Sequence, residues 1–302
     1  MLKKIIFVIG TLSNGGAERV VSNISMSLPE NIQKEAILFS EDAKVDYEFK
    51  GRIIYLDRKD PDRPIAKIVT LINRIIKLKR IKQLNSNATI ISFMEYPNIL
   101  NMLSGHHDRS IVSVRNYMSV KHKSGLKSLL WNLSIKYLYK KARKVIVVSE
   151  QMKVDLVENY NVPKEKIEVI YNSYPIKRIT TLAQNKLGKR EQEIFNNPTI
   201  ITAGRLYKQK GQHHLINAFK RVKEFIPHSQ LVFLGEGRLE NSLREKARAL
   251  DIYDSVHFLG FQKNPFKYIA RSKVFVMTSY HEGFPNAFAE AMIRKIPVIS
   301  TD

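Results

Sequence analysis

Short runs of β-branched and other apolar residues alternate along the chain with longer segments whose apolar residues recur every three or four positions. The short runs predict buried strands, and the longer segments predict amphipathic helices. Strands that alternate with helices are typical of a parallel sheet with helical crossovers. The predicted strands of the first half are Ile5–Ile9, Ala36–Ser40, Ile53–Leu56, Thr89–Phe93, Ile111–Val114, Val145–Val148 and Ile167–Tyr171.

The alternation weakens after Tyr171, and we interpret the polar stretch from Asn172 to Pro198 as an interdomain connection. A second series of predicted strands follows: Thr199–Ala203, Leu231–Leu234, Val256–Leu259, Val274–Met277 and Val298–Ser300. The pattern therefore predicts an α/β protein of two Rossmann-like, doubly wound parallel-sheet domains, residues 1–178 and 179–302, with a cleft between them. Because no helix follows the last strand to cover it, we expect the second domain to be incomplete and Val298 and Ile299 to be exposed.

The composition excludes several kinds of functional site and membrane segment. The 302 residues include no cysteine, which excludes disulfide frameworks, zinc knuckles, iron–sulfur clusters and thiol nucleophiles. The apolar run Ile5–Ile9 is too short for a signal peptide, and no apolar stretch approaches the roughly 20 residues that span a bilayer. We therefore expect a soluble or peripherally attached protein.

The formal net charge is +22, and most of it lies in two stretches of the first half. Residues 63–94, the first basic window, contain seven Lys or Arg, and residues 109–149, the second basic window, contain ten; neither contains Asp or Glu. Such a surface attracts a polyanion, either a nucleic acid or an anionic membrane leaflet. Because no nucleic-acid-binding motif accompanies the charge, we expect an anionic membrane surface as the partner and no nucleic acid.

The first basic window predicts a helix from Ile65 to Leu84 with two different faces. The face expected to pack on the sheet carries Ile68, Ile72, Ile75 and Ile76. The opposite face places Leu71, Leu78 and Ile81 among Lys67, Arg74 and Lys82. Apolar residues mixed with cations suit shallow insertion beneath lipid headgroups. The alternative is that Leu71 and Leu78 pack against a neighbouring helix and the lysines are merely solvated.

The second basic window combines cations with aromatic side chains of the kind found at membrane interfaces. The aromatic residues are Trp131, Tyr137 and Tyr139, and the cations are Lys121, Lys123, Lys127, Lys136, Lys140, Lys141, Arg143 and Lys144. We expect this window to dock beside the first.

A glycine-rich loop follows the first predicted strand and leads into a helix. Gly15 and Gly16 let a ligand approach the backbone closely, and the helix N-terminus favours an anion. The spacing matches neither the dinucleotide fingerprint G-x-G-x-x-G nor a P-loop. A tight strand-to-helix turn and a binding loop both remain open.

A basic loop occupies the equivalent place after the first strand of the second domain. Arg205 is suited to bidentate contact with phosphate oxygens and Lys210 adds a point charge, while Gly204 and Gly211 keep the loop tight. This pair would neutralise a diphosphate without a metal; the alternative is a solvated basic loop.

A third motif, Glu282 to Glu290, joins a strand end to a helix. We expect Pro285 in the first helical turn and backbone amides near Gly283 and Phe284 directed outward. Two carboxylates beside such amides suit sugar hydroxyls and a leaving phosphate. The alternative is a capping Glu282 and a solvated Glu290.

These motifs together resemble those of retaining glycosyltransferases of family 4. The matching segments are GGAER at Gly15–Arg19, VVSE at Val147–Glu150, GRLYKQKG at Gly204–Gly211 and EGFPNAFAE at Glu282–Glu290. They occur in the order typical of the family and extend over most of the chain. The resemblance implies the GT-B fold and a nucleoside diphosphate sugar as donor.

The resemblance also implies a role for each motif. Gly15 and Gly16 would face the donor phosphate and the acceptor, and Arg205 and Lys210 would hold the nucleotide diphosphate. Glu282 would lie beside the donor sugar and Glu290 would bind the ribose. Backbone near Phe284, Pro285 and Asn286 would contact sugar or phosphate.

Two departures from the family pattern matter. Many relatives carry a histidine after the fourth strand, whereas this chain has Ser92–Tyr96 there, which makes Glu95 a candidate contact for the donor sugar or the acceptor. Relatives also continue beyond the strand that ends at Ser300 with further helices.

We expect neither a metal nor a cofactor. Asp60-Pro61-Asp62 matches a metal-binding D-x-D pattern but is better interpreted as a proline-containing turn beside cations. The adjacent pairs His106-His107 and His213-His214 are poorly spaced for joint ligation.

The motifs and the family resemblance together imply a metal-independent hexosyl- or N-acetylhexosaminyltransferase that acts on a lipid-linked saccharide, and the resemblance implies retention of configuration. We expect it in cell-surface polysaccharide or glycolipid synthesis, on the inner face of the cell membrane. A nucleotide-sugar epimerase of the same fold and a non-catalytic polyanion-binding fragment are the alternatives.

Overall fold

A computed structural model describes residues 3–60, 63–121 and 125–301 of the chain. The chain divides into two compact units, Met1–Ser173 and Tyr174–Asp302. The sequence placed this boundary after residue 178. The structure places it earlier because a helix at Ile176–Ala183 packs its buried residues, Ile179 and Ala183, with Phe266 of the second unit.

Within the described ranges, the first unit contains a parallel seven-stranded sheet in the order β3-β2-β1-β4-β5-β6-β7. The strands are β1 (Lys3–Val8), β2 (Ile32–Ser40), β3 (Arg52–Asp57), β4 (Ala88–Phe93), β5 (Ser110–Ser113), β6 (Lys144–Val147) and β7 (Ile167–Val169). The helices are α1 (Gly16–Ser27), α2 (Pro64–Leu84), α3 (Glu95–Leu103), α4 (Met118–Lys121), α5 (Leu126–Leu138) and α6 (Glu150–Tyr160). The strand order reverses direction between β1 and β4, which is where doubly wound sheets bind ligands.

The second unit contains a parallel five-stranded sheet in the order β10-β9-β8-β11-β12. The strands are β8 (Thr199–Ala203), β9 (Gln230–Leu234), β10 (Val256–Phe258), β11 (Val274–Met277) and β12 (Val298–Ser300). The helices are α7 (Ile176–Ala183), α8 (Lys189–Phe195), α9 (Gln212–Phe225), α10 (Glu240–Ala249), α11 (Phe266–Ile269) and α12 (Asn286–Ile293). Short 3-10 turns occur at His107–Arg109, Tyr139–Lys141, Lys164–Lys166, Lys208–Lys210 and Tyr253–Ser255.

Every predicted strand is confirmed, although some boundaries differ. β2 begins at Ile32 rather than Ala36. The prediction started too late because two charged residues in the first half of the strand are buried and interrupt its apolar pattern. Glu35 forms an ion pair with Lys4 at 2.8 Å, and the Lys34 ammonium donates to the Leu28 carbonyl at 3.1 Å. Ile299 is 57% exposed on β12, as expected, whereas Val298 packs partly into the core.

The stretch predicted to be an interdomain connection is instead largely helical. It contains α7 and α8, both of which belong to the second unit. Their apolar residues are too few to stand out from the polar background, yet Ile179 and Ile194 are buried.

Apart from Ile75, which packs inward as expected, the faces of α2 are the reverse of the prediction. Leu71, Leu78 and Ile81 pack into the core with Ile75, whereas Ile68, Ile72 and Ile76 are 62%, 52% and 59% exposed. The pattern misled because two inward-facing positions are cationic: Arg74 is 4% exposed and Lys82 is fully buried.

Both inward-facing cations of α2 have polar partners that permit their burial. Arg74 Nε donates to Asp57 Oδ2 at 2.7 Å, and the guanidinium also pairs with Asp60. Lys82 Nζ donates to the carbonyls of Asn101 and Gly105 at 2.6 and 2.7 Å, and to Ser110 Oγ at 3.0 Å.

Candidate functional site

The basic loop after β8 is shaped by glycines that no other residue could replace without strain. Gly211 has a φ of 60°, and a Cβ built there would lie 2.1 Å from the Thr278 carbonyl oxygen. A Cβ at Gly235, after β9, would lie 2.2 Å from the Gly204 carbonyl oxygen. The loops that follow β8, β9 and β11 can therefore approach each other closely at one edge of the second sheet.

Hydrogen bonds join the loop after β8 to the loop after β11. Thr278 Oγ1 donates to the Lys210 carbonyl at 3.0 Å, and the Tyr280 amide donates to the Gln209 carbonyl at 2.9 Å. Gln209 Nε2 donates to the His281 carbonyl at 2.8 Å. These contacts fix the backbone on either side of two predicted site residues, Lys210 and Glu282.

Lys210 and Glu282 form an ion pair in this arrangement. The Lys210 ammonium donates to Glu282 Oε1, and Ser279 Oγ donates to the same oxygen at 2.6 Å. The two side chains are 25% and 17% exposed, so both remain reachable by a ligand. Glu282 does not cap a helix: α12 begins at Asn286, and Pro285 precedes the helix rather than lying in its first turn.

Glu290 lies on the inward side of α12 and is 1% exposed, so the interpretation as a solvated carboxylate is wrong. At the start of the same helix, Asn286 Oδ1 accepts a hydrogen bond from the Tyr174 hydroxyl at 2.8 Å. Phe284 and Pro285, partly exposed, lead into the helix.

Arg205 is exposed on the loop after β8, with its guanidinium carbon 5.4 Å from the centre of the Tyr207 ring. Arg238, from the loop after β9, lies over the same ring at 5.4 Å. The two loops are joined by the Leu206 amide, which donates to the Glu236 carbonyl at 2.9 Å. Arg205, Lys210 and Arg238 thus place three cations at the carboxyl ends of neighbouring strands.

Sequence reasoning missed Arg238. The available signal was the sequence Gly235-Glu236-Gly237 directly after a predicted strand, a place where loops of doubly wound sheets bind ligands. A Cβ at Gly237 would lie 2.4 Å from the Leu206 carbonyl oxygen, so this glycine permits the close approach of the two loops.

The glycine loop of the first unit is a tight turn that ends in a helix N-terminus. The Gly15 amide donates to the Ser13 carbonyl at 2.8 Å, and α1 begins at Gly16. Glu18, in the first turn of α1, lies so close that a Cβ at Gly15 would be 2.0 Å from its Oε2 atom. The loop lies at the carboxyl end of β1, where the strand order reverses.

Polar residues also gather where β4, β5 and β7 end. Glu95 begins α3 and is 8% exposed, and its Oε1 atom accepts a hydrogen bond from Asn116 Nδ2 at 3.5 Å. Arg115 Nη1 donates to Asn172 Oδ1 at 2.6 Å, while its guanidinium lies 5.1 Å from the centre of the Phe93 ring. The sequence predicted only Glu95 here, although Arg115 and Asn116 directly follow a predicted strand.

Three residues of the D-x-D and paired-histidine patterns, from which no metal site is expected, have other partners in the structure. Asp60 pairs with Arg74, and Asp62 lies outside the described residues. His214 Nε2 lies 2.8 Å from the Tyr280 hydroxyl, and His107 Nε2 lies 2.8 Å from the Met102 carbonyl. Among residues 3–60, 63–121 and 125–301, no group of three or more His, Asp or Glu side chains is arranged to hold a metal ion.

Nor does any helix in the described part of the chain have the length and apolar character required to cross a membrane.

Residues 14–178 match the family described as Glycosyltransferase Family 4, and residues 184–302 match Glycosyl transferases group 1. An uncharacterised glycosyltransferase of Methanocaldococcus jannaschii is 35% identical over 260 residues, covering 86% of this chain and 57% of that protein. The N-acetylgalactosamine-N,N'-diacetylbacillosaminyl-diphospho-undecaprenol 4-alpha-N-acetylgalactosaminyltransferase of Campylobacter jejuni is 30% identical over 307 residues, covering 100% of this chain and 81% of that protein. This chain therefore spans little more than half of the archaeal relative.

Among solved structures, Anabaena HepE in complex with UDP and glucose superimposes with a TM-score of 0.75 at 18% identity. The match covers 99% of this chain and 80% of HepE. At that identity the likeness is one of fold.

Proposed function

Because the chain belongs to glycosyltransferase family 4 and has the GT-B fold, we propose that it moves a sugar from a nucleoside diphosphate sugar to a lipid-linked saccharide. The transfer proceeds with retention of configuration and without a metal or other cofactor. It serves the synthesis of a cell-surface polysaccharide or glycolipid at the inner face of the cell membrane. The Campylobacter relative, whose name specifies a diphospho-undecaprenol-linked saccharide, supports this class of acceptor.

The observation that carries the proposal is the group of cations at the edge of the second sheet. Arg205, Lys210 and Arg238 lie on loops after β8 and β9, and the loops are tied to each other and to the loop after β11. A departing nucleoside diphosphate develops negative charge, and preorganised cations stabilise it without reorganisation. Charge-assisted contacts of this kind contribute about 1.5–3 kcal/mol each.

In the proposed reaction, the ion pair between Lys210 and Glu282 is exchanged for contacts with the donor. Before the donor binds, each neutralises the other. When phosphate oxygens engage Lys210, Ser279 keeps its hydrogen bond to Glu282 Oε1 and holds the carboxylate in place. The Oε2 atom is then available to a hydroxyl of the donor sugar.

The remaining donor contacts follow from α12. Glu290 accepts hydrogen bonds from the ribose hydroxyls, and the backbone of Phe284, Pro285 and Asn286 contacts sugar or phosphate. The family resemblance of the motif Glu282–Glu290 supports this role, whereas exposure does not, since Glu290 is only 1% exposed. Gly204 keeps the backbone after β8 close to the phosphates.

The acceptor hydroxyl attacks the anomeric carbon on the face from which the diphosphate leaves. The new glycosidic bond forms as the bond from carbon to phosphate oxygen breaks, and the hydroxyl proton passes to the departing phosphate. Glu282 is not the nucleophile in this scheme, since the acceptor hydroxyl attacks directly and Ser279 holds the Glu282 carboxylate. In the first unit, Gly15, Gly16 and Glu95 serve the acceptor side.

A panel of nucleoside diphosphate sugars, tested by thermal shift in the presence of EDTA, examines the donor half of the proposal. We expect one donor to raise the melting temperature in a concentration-dependent manner, as ligand linkage requires. If the shift appears only when a divalent metal is supplied, metal independence is wrong. If a donor is isomerised with no acceptor present, the protein acts as an epimerase instead.

A further inference from the structure

We propose that the first unit docks on an anionic lipid bilayer through a surface made of two exposed apolar stripes, one on α2 and one on α5. This inference rests on the proposed function only for the presence of a membrane-embedded acceptor. The surface differs from the one that the sequence predicted, because the structure turns the opposite face of α2 outward.

The α2 stripe consists of Ile68, Val69, Ile72 and Ile76, which are 62%, 53%, 52% and 59% exposed. Three of them are spaced four residues apart and therefore lie above one another on the helix. The core-facing side of α2 is already occupied by Leu71, Ile75, Leu78 and Ile81. A helix that only covered a sheet would carry polar residues on its outer side.

The α5 stripe has the same character. It consists of Leu129, Leu130, Leu133 and Tyr137, which are 53%, 59%, 40% and 51% exposed. Ile135 is fully buried on the inner side of the same helix. Here too, large apolar side chains remain outside after the helix has packed.

Both stripes lie on the same side of the sheet. The crossovers from β3 to β4, from β4 to β5 and from β5 to β6 all advance across the sheet in one direction. Because such crossovers are right-handed, their helices cover the same face. In agreement, α3 packs against both α2 and α5.

The structure also separates the surface cations from those with internal roles. Arg74, Lys77 and Lys82 of the first basic window are held by Asp57, Asp60 or buried carbonyls. The exposed cations on or after these helices are Lys67, Lys79 and Arg80 on α2, and Lys140, Lys141 and Arg143 after α5. Lys140 Nζ lies 4.9 Å from the centre of the Tyr137 ring in the α5 stripe. The side chains of Lys121, Lys123 and Lys127, which the sequence assigned to this surface, lie outside the described residues.

Exposed apolar stripes together with cations favour a bilayer over a second copy of the chain or a nucleic acid as the partner of this surface. A second copy of the chain would bring the cations of both copies together, and neither basic window contains an acid to offset them. A nucleic acid would use the cations but would leave the isoleucines and leucines in water. A bilayer with anionic headgroups satisfies both, since hydrocarbon accepts the stripes and the headgroups attract the cations.

Vesicle flotation tests the proposal with three proteins: the wild type, an α2-stripe variant and a matched control. The α2-stripe variant carries Ile68→Gln, Ile72→Gln and Ile76→Gln. The control carries Ile176→Gln, Phe225→Gln and Met292→Gln, which replace residues 60%, 83% and 58% exposed in the second unit. Vesicles are of phosphatidylcholine alone or with phosphatidylglycerol, and thermal melts verify that every variant is folded.

We expect the wild type and the control to float with the anionic vesicles only, and less so at high salt. The α2-stripe variant should bind at least about tenfold more weakly, because it loses three inserted apolar side chains. Equal binding by that variant, or no binding by the folded wild type, overturns the proposal. A wild-type dimer that the α2-stripe variant converts to a monomer would instead assign the surface to a second copy.

A transfer assay separates this inference from the proposed function. With a short water-soluble acceptor, the α2-stripe variant should match the wild type; with an acceptor embedded in anionic vesicles, its rate should fall. If no protein transfers sugar but vesicle binding follows the expected order, docking stands and the proposed function fails.

Discussion

Lys210 is the central residue of the proposed donor site. Its ammonium group contacts Glu282 in the structure and would contact phosphate when the donor binds. Arg205 and Arg238 approach from two neighbouring loops and share one aromatic neighbour, Tyr207. A phenol ring shared by two guanidinium groups lowers the cost of holding like charges near each other, since each cation is attracted to the ring face. The residues of this edge therefore act as a set.

The first prediction concerns the set of cations. Arg205→Ala and Lys210→Ala should each weaken the binding of a nucleoside diphosphate sugar by about tenfold or more, since each removes a charge-assisted contact to phosphate. Isothermal titration measures the loss. Lys208→Ala, an exposed lysine of the same turn, is the matched control and should bind normally. Unchanged affinity in a variant that carries both Arg205→Ala and Lys210→Ala would show that the diphosphate binds elsewhere.

The second prediction divides the roles of the two glutamates. Glu282→Gln should mainly lower kcat, because its partner is the reacting sugar, whereas Glu290→Gln should mainly raise KM through the ribose. Steady-state kinetics with one donor and one acceptor measures both constants. If both variants raise KM and leave kcat unchanged, the proposed roles of the two glutamates are wrong.

At the scale of elements, the parallel sheets were predictable because their β-branched strands are short, buried and separated by amphipathic helices. The faces of α2 were not, because Arg74 and Lys82 lie inside and only their partners reveal why. Motif residues on loops could be named from sequence, but the grouping of Arg238 with Arg205, and of Arg115 with Glu95, depends on the spatial order of the strands.

The loop after β8 gives a prediction about backbone conformation. Gly211→Ala should lower the free energy of unfolding of the second unit by about 1–3 kcal/mol, because it combines a positive φ with a clash against the Thr278 carbonyl. Donor affinity should fall with it, since Lys210 is adjacent. Gly105→Ala is the matched control: its φ is 73°, but a Cβ there meets nothing within 4 Å. Equal effects of the two changes on thermal stability would mean that the loop yields to the clash.

Lys82, which joins α2 to the end of α3, gives a prediction about pH. Burial, together with the neighbouring Arg109, lowers the pKa of Lys82 to about 7 from 10.5. Between these values the unfolded chain binds a proton that the folded protein does not, so the free energy of unfolding rises with pH. The rise between pH 7 and pH 9 should be about 2 kcal/mol from this residue.

Urea unfolding of the wild type and of Lys82→Met, followed by the fluorescence of Trp131, measures this rise in the first unit. The variant should lose that part of the pH dependence, while Lys79→Met, on the exposed side of α2, should keep it. Parallel pH profiles for the wild type and Lys82→Met would show that Lys82 stays protonated when buried.

At the scale of the whole molecule, the two units differ in charge and in the chemistry they present. The second unit gathers three cations at the ends of two strands, β8 and β9, and suits a diphosphate. The first carries the basic windows, two apolar stripes and a polar cluster at Glu95, and it suits an acceptor that is held at a membrane. The division of labour proposed for the enzyme follows from this difference.

The most direct test is to supply the protein with its preferred nucleoside diphosphate sugar and a lipid-linked saccharide in anionic vesicles, with EDTA present. Mass spectrometry of the extracted lipid should show one added hexose or N-acetylhexosamine, and NMR of the product should show the anomeric configuration of the donor retained. No added sugar from a folded protein that binds the donor, or a product of inverted configuration, would contradict the account.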